Sequence, residues 1–322
     1  MSRIHEALKK AEQERSAAPG VEMATSLQEH VLTPEPAWRA EPPASATEAL
    51  LPVPETSSIV KTSVEYLRFD DLRAHCAHPH WNPDPNLNVF LNPTLSPHGA
   101  EQFRTLRSRL YQLRSNQPLR TVLITSSVPA EGKTFLTNNL AQAIVRQPDR
   151  RALIIDADLR RSRLHIPLGA PAAPGLTDYL RSEADEMSII QHGLEGNLCF
   201  IPGGNEVTNP SELLSNGQLK KLLDRLAPVF DWVLLDSPPC VPVADASILA
   251  DFCDGVLLVV KAGSTPSEVA QRACQELSGR NVVGVVLNAA EESELYGSAY
   301  YQGYGYGYGY GHDHGAASKQ TS

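Results

Sequence analysis

Six short apolar runs, each bounded by polar, glycine or proline residues, restrict the fold more than any other feature of this chain. They are TVLITSS (121–127), RALIIDAD (151–158), LCFIPGG (198–204), DWVLLDSPP (231–239), GVLLVVKAG (255–263) and VVGVVLNA (282–289). Each is rich in β-branched residues and too short for a buried helix, so each reads as a strand buried on both faces. Between them lie stretches of helical periodicity: KTFLTNNLAQAIVRQ (133–147), NPSELLSNGQLKKLLDRLAP (209–228) and TPSEVAQRACQELSGR (265–280). A strand with no polar face needs cover on both sides, so the alternation predicts an α/β fold with a mainly parallel sheet flanked by helices. In such sheets ligands sit beyond the carboxyl ends of the strands, and the chemistry is to be sought there.

The end of the first run carries SSVPAEGKT (126–134). Gly132, Lys133 and Thr134 opening a helix directly after a strand form the P-loop arrangement, in which backbone N–H groups and the helix N-terminus cradle phosphates. Lys133 would reach the β- and γ-phosphates of ATP and Thr134 a Mg²⁺ ion. The first position of the motif is Ser127 where the general pattern has glycine, and Ala130 and Glu131 complete the loop. The second run ends LIIDADLRR, which places Asp156 and Asp158 beyond another strand end with Arg160 behind them. Carboxylates this close repel one another unless a cation or a proton lies between them. VLLDSPP delivers Asp236 to the same edge, as a carboxylate able to hold Mg²⁺ directly or through water. Three acids, a lysine and a threonine at neighbouring strand ends together indicate ATP and Mg²⁺ binding.

The flanks read differently. Residues 1–15 form a short amphipathic helix, 16–58 a solvated linker rich in Pro, Ala, Glu, Ser and Thr, and 59–94 an ill-defined connecting segment; 95–292 is the P-loop domain and 293–322 a flexible tail. Seven of the ten tyrosines stand in that tail, Tyr296, Tyr300, Tyr301, Tyr304, Tyr306, Tyr308 and Tyr310, separated mostly by single glycines. HCAHPH (75–80) brings His and Cys together, but its spacing matches no standard metal-ligand pattern and a proline interrupts it, so it reads as a loop. A net charge of −9 gives no general attraction to nucleic acid, and five scattered cysteines suggest neither a disulfide framework nor a zinc site. With no apolar leader and no apolar stretch of membrane-spanning length, the expectation is a cytoplasmic protein held at the inner face of the membrane by a partner.

SSVPAEGKT, LIIDADLRR and VLLDSPP, in this order and with NPSELL, VADA and GVVLN between and after them, resemble the bacterial tyrosine kinases that accompany capsule and exopolysaccharide synthesis. The resemblance covers roughly residues 95 to 310. It implies a P-loop fold of the partitioning-ATPase-like type and an ATP-dependent tyrosine autokinase that phosphorylates its own C-terminal tyrosine cluster in trans. Lys133, Asp156, Asp158 and Asp236 would be catalytic, with one aspartate of the pair taking the tyrosine proton. Thr134, Asp156 and Asp236 would hold Mg²⁺, and Asn288 would contact adenine. Ser127 agrees with the family's own loop, whereas Ala130 stands where the family often has glycine. On SPHGAEQFRTLRSRL, the residues Glu101, Arg104 and Arg107 match a helix that packs subunits of the family into a ring. The implied partners are a membrane-bound polysaccharide co-polymerase supplied as a separate chain, further copies of this chain, and a tyrosine phosphatase. Two other readings share the fold: a partitioning or positioning ATPase, whose additional lysine is replaced here by Val128, and a ring scaffold that binds nucleotide without catalysis.

Overall fold

A computed structural model of the chain describes residues 67–92, 98–193 and 196–290. The N-terminal helix and linker, and the tyrosine-rich tail, lie outside these residues. The six apolar runs become β1 (Thr121–Ser126), β2 (Ala152–Asp156), β4 (Leu198–Ile201), β5 (Trp232–Asp236), β6 (Gly255–Lys261) and β7 (Val282–Asn288). A two-residue β3 (Gln191–His192) was not anticipated, since a polar Gln-His pair carries no strand signal. The sheet order is β3-β4-β2-β5-β1-β6-β7, parallel throughout except for the β3–β4 pair.

Alternate residues of the central strands feed two hydrophobic layers. Leu153, Ile155, Val233, Leu235, Val256 and Leu258 pack into one, and Ile154, Trp232, Leu234, Val122, Ile124 and Val259 into the other. The second layer is covered by α2 (Gly99–Asn116) and α3 (Lys133–Val145). α8 (Gln218–Leu226) covers the first, burying Leu219, Leu222, Leu223 and Leu226 at helical spacing. Each such leucine contributes about 1.5–3 kcal/mol by leaving water. The expectation that all six runs are buried on both faces fails at β7, an edge strand with Val285 and Leu287 exposed. The stretch of helical periodicity over 209–228 holds two helices, α7 (Pro210–Leu214) and α8, with Gly217 at a left-handed φ of +79° between them.

Residues 67–92, read from sequence as part of a connecting segment, contribute α1 (Phe69–His75), whose Phe69 and Leu72 enter the first layer. Further along, Val89 N–H donates to the Asn139 Oδ1 atom on α3 at 2.9 Å, and Asn82 N–H to the carbonyl of Gly169. His75 and His78 bond backbone carbonyls of Asp71 and Arg73. The remaining short helices are α4 (His165–Leu168), α5 (Leu176–Leu180), α6 (Glu186–Ile189), α9 (Asp245–Ala250) and α10 (Ser267–Glu276).

Candidate active site

Because β2, β5 and β1 are adjacent, their carboxyl ends converge, and the register sets Asp156 directly beside Asp236. The loop from β1 to α3 folds over this point. Gly132 has φ +96°, which favours glycine, and a Cβ there would lie 2.0 Å from Asn288 Nδ2 and displace that side chain. Ala130 also adopts a left-handed φ of +65° and so carries strain of about 1 kcal/mol that glycine would not. The buried Glu131 turns its carboxylate inward, accepting from Val128 N–H at 2.8 Å, Lys261 N–H at 3.2 Å and the Thr265 hydroxyl. Asn288 donates from Nδ2 to the Glu131 carbonyl at 2.7 Å. The loop is therefore clamped to β6 and β7 from below. Ser127 is fully buried, with its hydroxyl unmatched.

Thr134 donates its hydroxyl to Asp236 Oδ2 at 2.6 Å. The other oxygen of Asp236 is buried without a partner. Burial first, and then the charge of Asp156, push the Asp236 carboxyl up to about 8, against the pull of Thr134 and Lys133. Asp156 is raised to about 6, again by burial, although it accepts from Leu164 N–H at 2.9 Å, Ser162 Oγ at 2.7 Å and Asp158 N–H at 3.2 Å. Burial and the closeness of the two carboxylates together disfavour ionisation of both at once. An orphaned, buried carboxylate oxygen beside a threonine hydroxyl fits a Mg²⁺ ion held with ATP phosphates.

Asp158 differs from its neighbour. It is half-buried and lines a cleft of about 670 Å³ together with Lys133, Thr134, Gly132 and Ala130. Its carboxyl is raised by desolvation, which Arg161 N–H, donating at 3.0 Å, and the charge of Lys133 partly oppose. Lys133 is itself buried to 8% exposure. Sequence reasoning thus brought Lys133, Thr134, Asp156, Asp158 and Asp236 to one place. It missed the support: Arg160 grips the buried Asp245 of α9 through Nε at 2.6 Å and Nη2 at 3.0 Å, and Ser211 of α7 at 3.0 Å. The VADA and NPSELL stretches therefore meet at Arg160, fixing the loop behind Asp158.

On α2, Glu101 and Arg104 form an exposed ion pair, and Arg104 also stands 5.9 Å over the Phe90 ring. Arg107 turns inward instead, donating to the Ala143 carbonyl near the end of α3 at 2.6 Å.

Comparison with known proteins decides the family. A family model described as cellulose biosynthesis protein BcsQ matches residues 122–278. Tyrosine-protein kinase YwqD of Bacillus subtilis is 33% identical over 204 residues, which span 63% of this chain and 86% of that relative. The chain belongs to the bacterial tyrosine kinase family. Tyrosine-protein kinase etk of Escherichia coli K12 is likewise 33% identical, over 59% of this kinase but 26% of that longer relative. The solved kinase domain of Escherichia coli tyrosine kinase ETK superposes with a TM-score of 0.56 at 32% identity, covering 62% of this kinase and 80% of that chain. Among the described residues no helix is long and apolar enough to cross a membrane.

Proposed function

We propose that this kinase transfers the γ-phosphoryl group of ATP to the tyrosines of its own C-terminal cluster, Tyr296 to Tyr310, on a second copy of the chain. The observation that carries the reading is Asp158: a half-buried carboxylate that lines the cleft with the P-loop lysine, at a site whose other acids are closed in. In this reading the P-loop N–H groups and Lys133 hold the ATP phosphates. Thr134 and Asp236, with Asp156 beside them, hold Mg²⁺, which neutralises charge on the phosphates when bound. The phenol oxygen attacks the γ-phosphorus, the bond from that phosphorus to the β–γ bridging oxygen breaks, and the phenol proton passes to a carboxylate. Asp158 suits that last role better than Asp156. It faces the cleft and its raised affinity for protons favours acceptance, whereas both oxygens of Asp156 are already taken by Ser162, Leu164 and Asp158 N–H.

Regulation of exopolysaccharide or capsule polymerisation and export, activation by a membrane-bound co-polymerase, ring assembly through the Glu101–Arg104 face of α2, adenine contact by Asn288, and resetting by a phosphatase complete the proposal. The partitioning-ATPase alternative has no support here, since Val128 stands where its lysine would be. Mixing wild-type protein and a mass-tagged, full-length Lys133→Met variant with ATP and Mg²⁺ tests the reading. Phosphotyrosine should appear in the tail of the tagged chain. Modification confined to the untagged chain contradicts transfer between copies, and its absence from both contradicts the autokinase.

A further inference from the structure

The turn that follows Asp158 carries three arginines to the cleft, Arg160, Arg161 and Arg163. Arg160 is spent on Asp245 and Ser211. Arg161 and Arg163 are exposed, and among the described residues their guanidinium groups have no hydrogen bond or ion pair. Their backbone is held firmly all the same. Arg161 N–H bonds the Asp158 carboxylate, and between and beyond the two arginines Ser162 Oγ and Leu164 N–H bond Asp156. Two unpaired cations thus stand on a turn anchored to the site's own acids. The same cleft has an apolar wall of Pro238, Pro239, Pro242 and Val243, with Ile166 at 48% exposure.

We infer that Arg161 and Arg163 are specificity-determining residues, reading the acidic, tyrosine-bearing segment 291–310 of a second copy and retaining its phosphotyrosines once formed. This rests on the autokinase reading above. The complement lies in the sequence: residues 291–318 contain Glu291, Glu292, Glu294 and Asp313 and no lysine or arginine. Each phosphotyrosine adds about −1.5 to −2 charges and three acceptor oxygens, which a guanidinium meets in bidentate fashion. In an extended segment Tyr304, Tyr306, Tyr308 and Tyr310 share one side at about 7 Å spacing. With one phenol at Asp158, a neighbouring tyrosine, modified or not, falls within the same cleft, which the two arginines and the proline wall also line. A tail phosphorylated once binds more tightly than an unmodified one, so further transfers to it follow before release.

The test uses full-length wild-type protein and the Arg161→Gln/Arg163→Gln double variant, a synthetic peptide of residues 289–312 as substrate, and a fluorescent nucleotide. KM for the peptide should rise about tenfold in the variant at low salt, with kcat little changed. Multiply phosphorylated peptide should dominate early wild-type reactions and give way to singly phosphorylated peptide in the variant. Nucleotide affinity should be unchanged, and lysine at both positions should recover part of the KM effect. Equal KM and equal phosphate distributions overturn the inference, as does a parallel loss of nucleotide affinity, which would assign the arginines to ATP. A wild-type protein that phosphorylates neither peptide nor tail overturns the autokinase reading itself, a result distinct from either.

Discussion

At the amino ends of β1 and β6, Asp254 Oδ2 accepts the N–H groups of Arg120 and Thr121 at 2.8 Å each, and at the start of β5 Asp231 accepts Arg151 N–H at 2.9 Å and the Arg150 guanidinium at 3.0 Å. At the carboxyl ends of β2 and β5, Asp156 and Asp236 are sealed side by side, and one oxygen of Asp236 has no partner. Both ends use aspartate, to opposite purpose. The amino-end acids satisfy backbone donors and staple strand starts together. The carboxyl-end acids are held where ionisation is unfavourable, a cost in stability that fits the proposed role in holding a cation and phosphate. Loss of a carboxyl-end group should therefore harm transfer and spare the fold, and loss of an amino-end group should do the reverse.

The largest effect is expected from Lys133→Met. Tail phosphorylation should fall by about 10³-fold with the loss of a charge aimed at the transferred group, and the melting temperature should hold, as read by phosphotyrosine blotting and calorimetry. Asp254→Ala is the counterpart. It should cost about 1.5–3 kcal/mol in urea unfolding, because two N–H groups lose a charged acceptor, with the kinase rate per folded molecule kept. A slower rate in folded Asp254→Ala would blur the contrast between the two ends.

The pH dependence sharpens it further. Asp236, held at about 8, is protonated in the folded state and ionised in the unfolded state at neutral pH, so the folded chain binds more protons. Its stabilising contribution, complete below the ordinary carboxylate range, is lost as pH rises through about 8. Asp156 acts likewise through about 6, but His165 and His192, lowered by burial, oppose it there. Between about pH 7 and 8, nucleotide-free wild type should therefore lose stability more steeply than Asp236→Asn, a comparison that melting curves across that range decide. The smallest effect belongs to Ala130→Gly, which should relieve the left-handed strain and raise stability by about 1 kcal/mol or less. Destabilisation would mean that the loop depends on the alanine side chain.

Reading the sequence located the carboxyl end well because its signals are local. Strand ends, Gly132-Lys133-Thr134 and the aspartates all lie within a few residues of apolar runs, and parallel pairing of adjacent strands does the rest. The amino-end staples and the Arg160–Asp245–Ser211 contacts were not legible. They join residues 51 to 134 positions apart, and an aspartate before a strand looks the same whether or not it meets a distant N–H. Residues 67–92 escaped for a related reason: their link to α3 runs through single polar contacts such as Val89 to Asn139, which leave no periodicity. The different surroundings of Asp156 and Asp158 also required the fold, since only there does one become enclosed and the other face the cleft.

Asp236→Asn carries both halves of the account in one protein, because it removes the buried charge at nearly constant shape. Thermal melting of nucleotide-free protein at about pH 8, followed by mass-spectrometric mapping of phosphotyrosine after incubation with ATP and Mg²⁺, reads both at once. The variant should melt above wild type and leave Tyr296 to Tyr310 unmodified. A variant that melts below wild type and still phosphorylates its tail at the wild-type rate would contradict it.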